Sequence, residues 1–86
     1  MADIAETMCI LHVDDEPGFA DMTATFLERE DDRLDVQAAT SAAAGLEILA
    51  DTDVDCVVSD YDMPDRNGIQ FLETVREEYG SLPFIL

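Results

Sequence analysis

The sequence predicts an α/β fold, a doubly wound parallel sheet with helices on its faces. Three features of the 86 residues predict it. Short apolar runs that read as buried strands alternate with segments of helical period, turn residues bound each segment, and no internal repeat or low-complexity linker interrupts the alternation. A chain of this length admits one hydrophobic core.

Residues 1–7 are small and polar and read as a leader, followed by one domain over residues 8–86. Met8 to Val13 form an apolar run broken only by His12, as expected of a strand buried on both faces. Asp14-Asp15-Glu16-Pro17 stops it and opens a helix, acids and proline being favoured in a first turn. Phe19, Met22, Thr23, Phe26 and Leu27 recur at helical spacing and are expected to form one buried stripe, ended by the polar run Glu28 to Arg33. Leu34 to Ala39 alternate apolar and polar like a half-buried edge strand. Thr40 or Ser41 can cap the next helix, whose inner face is marked by Ala42, Leu46 and Leu49. A third strand is expected from Val54 to Ser59. It ends at the acidic turn Asp60-Tyr61-Asp62-Met63-Pro64-Asp65-Arg66-Asn67-Gly68. Phe71, Leu72 and Val75 then line a helix that Gly80 breaks, and Pro83 to Leu86 begin a fourth strand. Such a strand at the chain end leaves an apolar edge open, which predicts self-association through it. His12, Phe19, Phe26, Phe71 and Tyr79 are expected to be core residues.

Charge excludes several functions. Four arginines and no lysine face 21 acids, for a net charge of −17. Nucleic acid and anionic membrane are poor partners for such a surface. Uncompensated negatives repel over ~10 Å in 0.1 M salt but only ~3 Å in 1 M salt, so a salt-rich cytoplasm suits the chain. In this the composition resembles proteins of salt-loving archaea; a solvated acidic surface in an ordinary cell is the alternative. Cys9 and Cys56 sit in separate apolar runs and read as reduced core residues without metal-binding spacing. No basic-then-apolar signal and no membrane-length stretch occurs, so the expected location is the cytoplasm.

The chemistry is expected where the strands' carboxyl ends meet helix N-termini. Asp14 and Asp15 follow the first strand and Asp60 follows the third. If those strands are neighbours at ~4.8 Å, the carboxylates crowd together. Two such charges ~4 Å apart repel by about 4 kcal/mol at an effective dielectric of 20, which calls for a proton or a cation. Oxygen-only ligands favour a hard ion such as Mg2+. A carboxylate beside that ion is a competent nucleophile toward a phosphoryl group, and Asp60, fixed at a strand end, is the best placed. The Tyr61 and Asp62 amides share its turn and can donate to phosphoryl oxygens. The Tyr61 ring reads equally as a switch or as a lid. Asp14 and Asp15 taken alone read equally well as helix caps, and Asp60 and Asp62 as turn formers.

The run Ile10-Leu11-His12-Val13-Asp14-Asp15-Glu16-Pro17, with Val57-Val58-Ser59-Asp60-Tyr61-Asp62-Met63-Pro64 and Gly68, resembles the receiver domain of two-component response regulators, in register over residues 8–86. The resemblance implies a flavodoxin-like sheet in strand order 2-1-3-4. It implies that Asp60 accepts a phosphoryl group from a histidine kinase or phosphotransfer domain, and that this switches an attached or partner output. It also implies Mg2+ held by Asp15, Asp60 and the Asp62 backbone carbonyl, with Asp14 acting through water. Such a domain is not an enzyme with turnover, although it assists its own phosphorylation and dephosphorylation. Receivers continue further, with a threonine or serine after the fourth strand and a lysine after the fifth. This chain has neither, so the resemblance implies a domain cut short after its fourth strand, retaining the acceptor and metal half of the site.

Two other functions compete. Asp60-Tyr61-Asp62 matches the Asp-x-Asp of haloacid-dehalogenase-type phosphohydrolases, a reading opposed by Pro64 and the missing lysine. A plain acidic interaction module would leave the aligned acids as coincidence.

Overall fold

The computed structural model describes residues 7–63 and 67–86. Most of the expected leader, and Pro64, Asp65 and Arg66 of the acidic turn, lie outside the described residues. The elements are β1 (Met8–Val13), α1 (Pro17–Glu30), β2 (Leu34–Ala39), α2 (Ala42–Asp51), β3 (Cys56–Ser59), α3 (Gly68–Tyr79) and β4 (Phe84–Ile85). All strand pairs are parallel and the sheet order is β2-β1-β3-β4, so the predicted doubly wound topology is the one observed. Reversing the direction of strand addition after β2, with right-handed crossovers, puts α1 on one face and α2 and α3 on the other.

The main core lies on the α2 and α3 face. Leu11, Val13, Val57, Phe71 and Val75 are fully buried there, joined by Ala39, Ala42, Leu49 and Met63. Phe71 meets Phe84 edge to face, with ring centroids 5.4 Å apart, a geometry that aligns a ring's positive edge with its neighbour's negative face. The helices on this side are capped as their sequences dictate. Ser41 Oγ accepts from the Ala44 amide, and Asn67 and Gln70 form a reciprocal capping box, satisfying donors that the first turn leaves open. Gly80, at φ 64°, ends α3 in the left-handed region that favours glycine.

The other face is thin and corrects one expectation. Phe19, Met22 and Phe26 are 58%, 60% and 55% exposed, so they are neither core residues nor a buried stripe. The inward line keeps Thr23 and Leu27 of the expected stripe, both half-buried, and replaces the bulky three with Ala20, which is buried, and Ala24, which is half-buried. Small residues let α1 lie close to the sheet, and the bulky ones flank that line, where no described element covers them. A sequence-derived apolar stripe weights side chains by size, so it centres on the phenylalanines, to one side of the line that faces the sheet. His12 is buried on this face as expected, but its Nδ1 has no hydrogen-bond partner among the described residues.

Two backbone details complete the sheet. At its base the Cys9 amide donates to the Asp55 carboxylate and the Asp55 amide to the Cys9 carbonyl, both at 2.8 Å. This pair joins β1 to the segment before β3, which is why β3 starts at Cys56 rather than at Val54. At the outer edge of β2 the Val36 amide donates to Glu28 of α1 at 2.9 Å and the Leu34 amide to the Asp31 carbonyl at 3.1 Å.

Candidate functional site

The carboxyl ends of β1 and β3 are locked side by side. Beyond the ladder, the Asp14 amide donates to the Ala39 carbonyl at 2.9 Å and the Asp60 amide to the Val13 carbonyl at 2.8 Å. Each aspartate therefore leaves its strand from a backbone that a neighbouring strand already holds. The Asp14 carboxylate is oriented further by accepting from the Glu16 amide at 3.0 Å. Helix α1 starts with Glu16 at its N-cap and no side-chain cap bond, so the helix-cap role open to Asp14 and Asp15 in the sequence is not the one they fill.

This geometry brings Asp14, Asp15 and Asp60 together, with one carboxylate oxygen from each lying within 4.8 Å of the others. Three negative oxygens at that separation fit a hard dication that takes oxygen ligands and keeps part of its water shell. The Asp62 carboxylate does not join them; Asp62 and Tyr61 are exposed on the turn. A phosphohydrolase using both Asp60 and Asp62 carboxylates is thus not favoured.

The turn after Asp60 is held from several sides. Met63 is buried in the main core and anchors its far end. The Gly68 amide, at the start of α3, donates to the Tyr61 carbonyl at 2.7 Å. Ser59 is 4% exposed, and its hydroxyl donates to the Asp60 carbonyl at 2.9 Å. Sequence reasoning singled out neither Met63 as an anchor nor Ser59. The one available signal was a hydroxyl residue at a position of β3 that strand alternation turns to the same side as the buried Val57.

Comparison with known proteins agrees with the geometry. The family model for the response regulator receiver domain matches residues 10–86. Response regulator Rre1 of Synechocystis is 37% identical over 84 residues, covering 95% of this chain and 36% of that protein. The chain thus spans about a third of that relative's length. Response regulator protein TrrA from Thermotoga maritima, solved in complex with Mg2+–BeF, superposes with a TM-score of 0.84 at 25% identity, over 93% of this chain and 68% of that one. A receiver domain protein from Clostridium thermocellum gives 0.82 at 25% identity, over 90% and 61%. No helix among the described residues is long and apolar enough to cross a membrane. With its sheet order, its clustered aspartates and these matches, the chain belongs to the response regulator receiver domain family of two-component signalling.

Proposed function

We propose that Asp60 is the phosphoacceptor of this receiver, and that residues 8–86 act as a stoichiometric signalling module rather than as an enzyme with turnover. The observation that carries the reading is the convergence of Asp14, Asp15 and Asp60 from two separate stretches of chain onto one point. A turn former or a helix cap has no need of it.

In this reading a carboxylate oxygen of Asp60 attacks the phosphorus of a phosphohistidine on a histidine kinase or phosphotransfer domain. The O–P bond forms as the P–N bond breaks with its electron pair on nitrogen, and the imidazole departs neutral once its second nitrogen carries a proton. Asp15, Asp60 and the Asp62 carbonyl would hold Mg2+, with Asp14 acting through water. When bound, the ion supplies positive charge that offsets the carboxylates and the incoming phosphoryl oxygens. Asp60 is held in line by its backbone bond to Val13, and the Tyr61 and Asp62 amides would donate to the phosphoryl oxygens. An output carried by the same protein or by a partner would read the change. A cytoplasmic location belongs to the same proposal, supported by free cysteines at Cys9 and Cys56.

Intact mass measurement after incubation with Mg2+ and a small acyl phosphate tests the assignment. One phosphoryl adduct per chain is expected in the wild type and none in Asp60→Asn. Equal labelling of the two, or labelling of neither, removes Asp60 from the role.

A further inference from the structure

Ser59 stands out in β3. Its neighbours Cys56, Val57 and Val58 are apolar, yet Ser59 is as buried as a core residue. A buried hydroxyl is costly unless it is paired, and this one is paired with the carbonyl of the very next residue, Asp60, at 2.9 Å. The following carbonyl, that of Tyr61, is tied by the Gly68 amide at 2.7 Å. Two consecutive peptide planes after Asp60 are therefore pinned by their oxygen ends.

A trans peptide carries its C=O and the next N–H on opposite sides. Fixing the Asp60 oxygen fixes the Tyr61 N–H, and fixing the Tyr61 oxygen fixes the Asp62 N–H. Strand alternation places the Ser59 and Asp60 side chains on opposite sides of the backbone. A carbonyl drawn to the Ser59 side leaves the Tyr61 amide on the side of the Asp60 carboxylate. Among the described residues, neither the Tyr61 nor the Asp62 amide donates a hydrogen bond.

We propose that Ser59 is a positioning residue for phosphoryl transfer: its hydroxyl sets the Asp60–Tyr61 peptide plane and so aims the Tyr61 amide at the group arriving on Asp60. The proposal rests on the reading of Asp60 as the acceptor. Ser59 takes no part in the bond exchange; the Asp60 oxygen gains phosphorus and the donor atom keeps the electron pair. Its effect falls on the phosphoryl oxygens rather than on a dication, since the carboxylates that would hold the ion come from other anchors and the Asp62 carbonyl belongs to the peptide plane beyond the one that Gly68 ties. Preset donors act without reorganising when the charge arrives, and a freely turning peptide forfeits that.

The test separates two affinities in the full 86-residue chain, that for Mg2+ alone and that for trifluoroberyllate in saturating Mg2+, both by titration calorimetry. Ser59→Ala is expected to weaken trifluoroberyllate binding about tenfold with Mg2+ affinity within twofold of wild type, and Ser59→Thr, which keeps the hydroxyl, is expected to restore it. Retained Mg2+ binding also reports that the variant is folded. Three results overturn the proposal: unchanged trifluoroberyllate affinity in Ser59→Ala, equal losses for both ligands, or no rescue by Ser59→Thr. A wild-type chain that binds Mg2+ but no trifluoroberyllate would instead refute the acceptor reading, and this proposal with it.

Discussion

The Gly68 amide lies 2.7 Å from the Tyr61 carbonyl oxygen, so the first residue of α3 is bonded directly to the turn that follows Asp60. The approach is close enough that only glycine fits. A Cβ at position 68 would stand 2.8 Å from the Asp60 oxygen and 3.1 Å from Tyr61 Cα, and would run into the Leu86 side chain. The leucine can move away, but the backbone cannot without dragging Asp60. Gly68→Ala is therefore expected to destabilise the chain by ~1–3 kcal/mol, the usual cost of overpacking, and to weaken divalent-cation binding. Denaturant unfolding with and without Mg2+ measures both; an unchanged midpoint contradicts the close packing.

The three clustered carboxylates predict that a dication binds the folded chain preferentially. Mg2+ at a hundredfold excess over its dissociation constant should add about 2.7 kcal/mol of stability, and Asp15→Asn should remove most of that gain while stabilising the ion-free chain by relieving repulsion. Thermal melts across a Mg2+ series would show the two curves crossing. Parallel curves would mean that Asp15 is not a ligand.

Phe71 and Phe26 are both phenylalanines at helical spacing, yet the fold treats them oppositely. Phe71 is fully buried against Phe84 and Phe26 is 55% exposed. Phe71→Ala is expected to cost ~3–5 kcal/mol, enough to unfold a chain this small, whereas Phe26→Ser should change stability by less than about 1 kcal/mol and improve solubility. Equal losses in urea unfolding would return Phe26 to the core.

Acids outnumber arginines 21 to 4, and their mutual repulsion opposes the folded state. Raising potassium chloride from 0.1 to 1 M shortens the reach of that repulsion from ~10 to ~3 Å and is expected to raise Tm, each kcal/mol recovered being worth roughly 4–8 °C for a domain of this size. A Tm that stays flat or falls would show that the surface charge is already well solvated.

The Arg33 guanidinium, hydrogen-bonded to the Asp31 carboxylate at 2.7 and 3.0 Å, pulls that carboxyl down from 3.8 to about 2. A lowered carboxylate stabilises the fold above its unfolded value and ceases to do so as pH drops through the folded one, here between about 3.8 and 2. The pair is exposed, so its effect on stability is small. A carbon-detected titration should place the Asp31 midpoint near 2 and return it toward the ordinary value in Arg33→Ala.

What was legible in the sequence followed from backbone position, and what was not followed from side-chain direction. Asp14, Asp15 and Asp60 end buried strands, so once the alternation of elements fixed a parallel sheet, their meeting was a matter of topology. The inward line of α1 was legible only in part: Thr23 and Leu27 lie on it as expected, but Ala20 and Ala24 complete it while Phe19 and Phe26 carry the hydrophobic signal. Ser59 and Met63 were missed for a similar reason. One serine in a short strand, or one methionine in a polar turn, makes no periodic pattern, and its value appears only when the atoms around it are in place.

The Glu28 carboxylate on the Val36 amide, with the Asp31 carbonyl on that of Leu34, gives the sheet a polarity of growth. Two amides that an incoming strand would use at β2 are already spoken for, and the acid that occupies one of them brings a negative charge to that margin. β4 has no comparable guard among the described residues. A fifth strand, whichever polypeptide supplies it, can enlarge this sheet from one side only, and that side is the one farthest from the acidic cluster's anchor on β2.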